Sequence, residues 1–515
     1  MSKKVLGCLI VVILIAVGVF MMTGDKTGDP NVSASSKKDA VVFSISSEPS
    51  SLDPARTKDA ITYLVIYQMF DTLIREEPDG TLAPALAESW EISDDTKQIT
   101  FKIRDGVKFH NGETMTVDDV AYSINRAIES VYTSAYTNTM DRMEVIDSST
   151  VKLYLKEPYI AILKCLTNAN LAIVPKSVAE TAGDEFSKTP IGTGPYKFIS
   201  WDNGEKITMV RFDEYYRGAA KIKDLTFKIQ ADKSTAAIAL EKGEIDVLYY
   251  PSTSDRQHLM SLENVSYKEG PASTFWYVAF NNRKGPFANE KLRKAVCYAL
   301  DRDAIILGGA DGLGDPIEGC IPASVQFYNP DFKGYERDLE KAKQLMAEAG
   351  YPNGLSFAMK TNQSSQYSKP TEVIQAQLRE IGIEANIELM ERAAYLDETQ
   401  VKCDYDMTFY VITNTISDPD YIATRRFHSQ MEGGGNNFTL HNIDGLDELI
   451  DSARGDRNDE TRGEKYRKIE QLIYEHAVIA PLYQGKTFIA CNSKLKGVYT
   501  HPSERHYVYE YSWSD

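Results

Sequence analysis

Apolar and polar positions alternate most regularly between Trp90 and Glu129, in WEISDDTKQITFKIRDGVKFHNGETMTVDDVAYSINRAIE. Ile99, Phe101 and Ile103 occupy every second position, which in an extended chain puts them on one face of a strand. The polar triplet Ser93-Asp94-Asp95 supplies a turn before it, and Asp105-Gly106 supplies one after it. Val107-Lys108-Phe109 reads as a second short run closed by Asn111-Gly112. Thr116 stands three residues before Asp119, the spacing of a helix cap. The apolar residues that follow, Val120, Ile124, Ala127 and Ile128, then share a helical face.

The remaining chain mixes both periods. Residues 41–45 read as a first strand ended by Glu48-Pro49, and 59–74 carry apolar residues at helical spacing. Residues 144–155 alternate around a turn like a hairpin. Gly192-Thr193-Gly194-Pro195-Tyr196 is too rich in glycine and proline for regular structure and marks a shaped turn. A strand at 225–229, a helix at 234–242 ended by Gly243, and a strand at 245–249 give the strand–helix–strand rhythm of a parallel sheet. Helices are expected at 289–300, 338–349, 371–381 and 464–476, with strands at 385–389 and 407–411. The fold class is therefore α/β.

Four segments carry a resemblance. WEISDD…TFKIRDGVKFHNGETMTVDDVAYSINR is joined by SSEPSSLDP at 46–54, PIGTGPYKF at 190–198 and FNNRKGPFANEKLRKAVCYALDRDAI at 280–305. Together they resemble the family 5 extracytoplasmic solute-binding proteins, the peptide- and nickel-type receptors that feed ABC transporters, in the expected order from about 41 to 511. The resemblance implies a two-lobe periplasmic-binding-protein-like fold with a hinge between the lobes and an additional inserted domain. Lobe I would comprise 39–76, 189–270 and 487–515, the inserted domain 77–188, and lobe II 271–486. A ligand contacting both lobes would favour the closed state over the open one.

Composition narrows the partners. A chain of 515 residues exceeds one compact core, and 43% hydrophobic with 25% charged residues excludes disorder. The net charge of −17 argues against nucleic acid. Lys3-Lys4 precede eighteen uncharged residues, 5–22, which read as a signal sequence or an uncleaved membrane anchor, with 23–38 as a flexible tether. The anchored reading is favoured, because Leu6-Gly7-Cys8 stands at the start of the apolar run instead of following it, as a lipoprotein motif would. Everything downstream is then extracytoplasmic. None of the six cysteines forms a C-x-x-C pair, so most read as small buried hydrophobes.

Enzyme signatures are missing: there is no H-E-x-x-H, G-x-S-x-G or G-x-x-x-x-G-K-[ST]. No cofactor or metal site is expected, and His501 and His506 read as surface residues. The resemblance places Glu48 to Asp53, Ser51 among them, on the lobe I wall of a ligand pocket. It adds Tyr196 and Trp201 by the shaped turn, Tyr250 before the crossing, and Phe275, Trp276 and Tyr277 on the crossing itself. Any one of these aromatics is as readily a core residue; the cluster Phe275–Tyr277 is read as pocket or hinge. Lys369 falls where dipeptide receptors carry a basic residue, although an ordinary solvated surface lysine explains it more simply. Peptide-binding members commonly carry an aspartate three residues before an Asp-Pro, where it holds the α-ammonium. Here the Asp-Pro is Asp418-Pro419 and the position three before is Thr415, whose hydroxyl cannot pair with an ammonium as a carboxylate does. Asp418 remains a ligand candidate, though it also suits a turn. Asn436 and Asn437, in a glycine-rich stretch, would offer amides at the mouth. The expected function is a monomeric, membrane-tethered receptor that captures oligopeptides for ABC permease subunits. A nickel chelate, another solute or a sensory role are the alternatives.

Overall fold

The first apolar run forms the strand Ala40–Ile45, and a nine-stranded sheet is built outward from it. The computed structural model describes residues 38–433, 435–503 and 505–514. Ala40–Ile45 pairs in parallel with Asp224–Ile229 on one side and Val247–Tyr249 on the other. The helix Lys233–Glu241 connects those two neighbours, capped by Asp232 and ended before Gly243, whose φ of 73° admits the reversal. Beyond Asp224–Ile229 the sheet ends with the hairpin Lys206–Arg211 and Tyr196–Asp202.

Beyond Val247–Tyr249 come two unusually long strands, Val265–Phe280 and Ile479–Asn492, which run antiparallel. Their two halves serve different cores. Val265 packs with Leu240 and Leu259, whereas Phe275 to Phe280 enter a large cluster with Met407, Phe409 and Tyr466. On the returning strand Ile479 to Tyr483 join that large cluster, while Ile489 and Cys491 join the core around Phe43 and Phe227. Pairing between the two strands breaks its register between Pro271 and Phe275. At that bulge Ser273 donates its N–H and its hydroxyl to the Pro502 carbonyl, both at 3.0 Å. The chain therefore passes between two lobes through a paired ribbon with an irregular middle, the geometry of a hinge.

A third core, from Leu73 to Ile173, surrounds the four-stranded sheet that contains Gln98–Ile103. Ile99, Phe101 and Ile103 are buried on one face as their alternation requires. Thr116 and Asp119 form the reciprocal cap of the helix Val117–Glu129. Val107 and Phe109 are buried, but 107–109 makes only an isolated bridge, Lys108 to Thr114, rather than a strand. Ile416, from the loop after the strand Met407–Thr413, is inserted into this third core.

Three helix boundaries differ from the apolar period. The helix expected over 59–74 is Ala60–Ile66, because the next carbonyls are taken by distant partners. Tyr196 N–H donates to Gln68 O at 3.0 Å and Gly194 N–H to Met69 O at 2.9 Å. The helix expected to begin at 371 begins at Ser365 and contains Pro370. The late helix is Asp459–Glu475, capped by Asn458 ahead of its charged first turns.

Candidate functional site

A cavity of about 440 Å³ lies where the three cores meet. Tyr63 and Tyr67 reach it from the segment after the first strand, and Tyr132 and Tyr136 from the region of the third core. Ser273 and Thr274 on the bulge and Thr413 and Thr415 at the end of the strand Met407–Thr413 form its strand-edge side. The C-terminal segment closes it with Ser503 and Arg505. The tyrosine hydroxyls are largely spoken for. Tyr63 donates to Asn170 Oδ1 at 2.7 Å, and the Tyr67 hydroxyl accepts the Ala169 N–H at 3.1 Å. What these residues offer a ligand is ring surface. Burial pushes the Tyr63, Tyr67 and Tyr136 phenols up, so they stay protonated.

The polar groups are fewer and distinct. Thr415 Oγ1 is buried, and the Tyr136 hydroxyl approaches it closely enough to interact, yet it forms no hydrogen bond of good geometry. Arg505 is buried; its Nη1 donates to Thr167 Oγ1 at 2.6 Å and lies 2.5 Å from Glu76 Oε2. Among the described residues lining the cavity there is no aspartate, glutamate, histidine or cysteine. Chemically the site combines aromatic area, strand-edge hydroxyls and positive charge.

A second cavity, of about 480 Å³, borders the same crossing strands and shares Thr274 with the first. Tyr250, Trp276 and Lys369 line it. Trp276 is held tightly: its ring stacks on Phe409 at 5.1 Å and Tyr483 at 5.9 Å, with Tyr367 edge-on at 5.3 Å. Tyr250 has a φ of 50°, packs on Phe488 at 4.7 Å and donates to Lys486 O at 3.2 Å. Lys369 pairs with Asp311 at 3.3 Å. Lys369 and Thr415 thus line different cavities, and the structure does not bring them to one ligand-sized space.

Other expected pocket residues are engaged elsewhere. Glu48 Oε1 accepts from Trp201 Nε1 at 2.8 Å and from the Gly204 N–H at 2.9 Å, fastening the edge of the sheet away from either cavity. Ser51 Oγ accepts the Asp53 N–H at 3.1 Å within its own turn. Tyr196 is a core residue whose hydroxyl donates to Ile222 O at 3.2 Å. Phe275 and Tyr277 stack on one another at 5.0 Å inside the large core cluster, and among the described residues the Tyr277 hydroxyl has no hydrogen-bond partner. Asp418 is buried and locked to Arg462 by two 2.8 Å contacts, and the pair borders a third cavity, of about 570 Å³, separate from the other two. Asn437 is also buried, donating to His428 O at 3.2 Å and accepting from Thr439 at 3.1 Å. The Asn436 carbonyl accepts from Arg426 at 2.6 Å, and neither asparagine lines a described cavity.

His501 and His506 are buried, contrary to their expected surface position, and burial drives both below the ordinary histidine range, His506 to about 4. They stay neutral in ordinary buffers. The five cysteines of the described residues are free and buried. Cys8 lies outside those residues, as do the apolar run 5–22 and most of the tether; among the described residues no helix is long and apolar enough to cross a membrane.

Comparison with known proteins agrees with this architecture. The family model for bacterial extracellular solute-binding proteins, family 5 Middle, matches residues 81–434. The heme-binding protein A of Haemophilus influenzae is 28% identical over 500 residues, 91% of each chain. The structure of HbpA2 from Haemophilus parasuis superposes with a TM-score of 0.86 at 27% identity, covering 92% of this chain and all of that one. The ABC transporter-associated periplasmic binding protein DppA from Helicobacter pylori, in complex with the peptide STSA, gives 0.76 at 27% identity over 93% and 99%. These relatives are binding proteins, not enzymes. With a family match over more than half of its length and two lobes joined by a paired ribbon, this chain belongs to family 5 of the bacterial extracellular solute-binding proteins.

Proposed function

We propose that this protein captures short peptides in the cavity at Thr415 and Tyr136 and hands them to an ABC permease. The lining carries this reading. Strand-edge residues on the hinge bulge and at the end of the Met407–Thr413 strand stand beside four tyrosines. An extended peptide offers amides to such an edge and side chains to such rings, and tyrosine supplies contact area with few rotors to freeze. A volume near 440 Å³ lies within the span of small-ligand sites. A ligand seated there would touch both lobes and the third core at once, and its differential contacts would set the closed population. The relative that holds STSA adds weight to a peptide ligand. A nickel chelate held by protein ligands is disfavoured by the lining, whose described residues lack histidine, cysteine and carboxylates.

The remainder of the proposal concerns placement. Residues 1–22 would anchor the protein and 23–38 tether it outside the cytoplasm as a monomer. The lobes would divide at 271 and 486, which pair with one another across the ribbon at the edge of the hinge bulge. The test is mass spectrometry of the small molecules released when the full chain, purified from its host, is denatured. A mixture of short peptides is expected. A single non-peptide compound or a metal chelate would overturn the peptide assignment while leaving the receptor architecture intact.

A further inference from the structure

Arg505 is the most fully buried cation beside the cavity, at 1% exposure, and its guanidinium is only partly used. Nη1 serves Thr167 and faces Glu76. Nη2 is buried and has no hydrogen-bond acceptor among the described residues. A guanidinium is a planar fork of donors matched to the two oxygens of a carboxylate. This arm, covered in the structure, is therefore an unfilled half of such a pair that a ligand reaches by a small local opening.

The local charge balance points the same way. The Glu76 carboxylate that faces Arg505 is shared: Lys164 Nζ approaches its other oxygen at 3.1 Å. All three side chains are buried, so two cations stand against one carboxylate. The nearby Arg75 does not add to the excess, since it is paired with Glu77 and Glu510. Uncompensated buried charge is costly, and an anion in the cavity would meet this excess on its Arg505 side, Lys164 bordering a separate cavity with Asp418 and Arg462. The exposed Lys58, which makes no ion pair among the described residues, is the second cation in the lining, and no described carboxylate opposes it there. Thr415 stands where an ammonium-holding carboxylate was expected.

We infer that the cavity is selective for the free C-terminal carboxylate of its peptide, bound by the Arg505 fork with Lys58 in support, and is indifferent to a free α-amino group. The inference rests on the peptide reading above. It also joins binding to the hinge. The segment that carries Arg505 is fastened to the bulge through Pro502 and Ser273, and to the Thr415 loop through Ser503 and Ser417, 3.0 Å apart. A carboxylate on Arg505 would therefore sit against lobe I while its chain runs along the lobe II strand edge.

The experiment is native mass spectrometry of the full chain with an equimolar pool of Ala-Xaa-Ala tripeptides. The pool is prepared in four end-forms: free, N-acetylated, C-amidated, and blocked at both ends. N-acetylation is expected to change the bound fraction by less than about threefold, and amidation to lower it by about tenfold or more. Any members retained from the amidated pool should be enriched in Xaa = Asp or Glu, whose side chains supply the missing anion. Lys58→Gln, at an exposed position, should shrink the amidation penalty without altering the melting temperature. Arg505→Gln should abolish it, provided its melt remains cooperative. Binding with no amidation penalty, or a penalty on acetylation instead, would overturn this inference and leave peptide capture standing. No binding of any pool would overturn both.

Discussion

Glu470 shows how a single buried side chain ties stability to pH. Its Oε1 accepts the N–H groups of Cys320 and Ile321 at 2.9 and 3.1 Å, while Oε2 has no hydrogen-bond partner among the described residues. Burial outweighs those hydrogen bonds and raises the carboxyl from 4.5 to about 7. The native state then holds the proton more tightly than the unfolded chain. The associated stability is complete below about pH 4.5 and is lost as pH rises through about 7. Glu470→Gln should therefore gain on the wild type by about 1–3 kcal/mol between pH 5 and pH 8, measured by urea unfolding at both values. A constant difference across that range would remove Glu470 as the source. Trp276 is a second case. Its ring is enclosed by Phe409, Tyr483 and Tyr367, so Trp276→Ala should cost about 3–5 kcal/mol in urea unfolding, as other large core truncations do. A loss below about 1 kcal/mol would mean that the ring is not a core element.

Between elements, the turn Gly192–Tyr196 sets how closely lobe I packs. A Cβ at Gly192 would lie 2.2 Å from the Met69 carbonyl oxygen, and one at Gly194 would lie 2.4 Å from the Met69 carbonyl carbon. Both obstacles are backbone and cannot rotate away. Gly194→Ala should accordingly destabilise by about 1–3 kcal/mol or more, read from thermal or urea melts, and an unchanged melt would refute the close approach. The same contact explains a helix boundary that apolar spacing alone does not reveal. Periodicity continues through Met69 and Leu73, but the Gln68 and Met69 carbonyls are claimed by residues more than a hundred positions later. Local signals did declare the strand Gln98–Ile103 and the capped helix Val117–Glu129, because alternation and capping act within a few residues. At Ser365–Arg379 the internal Pro370 hides the first turn, and at Asp459–Glu475 an almost wholly charged start does so.

Over the whole molecule, legibility falls with sequence separation. The α/β class was readable from the mixed strand and helix periods, and the two-lobe plan from the resemblance carried by four segments. The cavity was not, because its walls come from Tyr63, Tyr136, Ser273, Thr415 and Arg505, which only the fold brings together. Arg505 carried no motif, and Asp418 looked available until Arg462 was seen to engage it. The resemblance also spread the expected residues over three cavities, with Thr415 in the first, Lys369, Tyr250 and Trp276 in the second, and Asp418 in a third. The central claim is that the first of these holds the ligand. Ala135 and Ser365 are exposed residues lining the first and second cavity respectively, so a tryptophan at each can fill its space with little strain on a core. The deciding measurement is the peptide-bound fraction, by native mass spectrometry, of the full-length Ala135→Trp and Ser365→Trp variants beside the wild type. The account predicts a loss of about a hundredfold in affinity for Ala135→Trp and less than about threefold for Ser365→Trp. Loss confined to Ser365→Trp would contradict it and move the ligand to the cavity of Trp276 and Lys369.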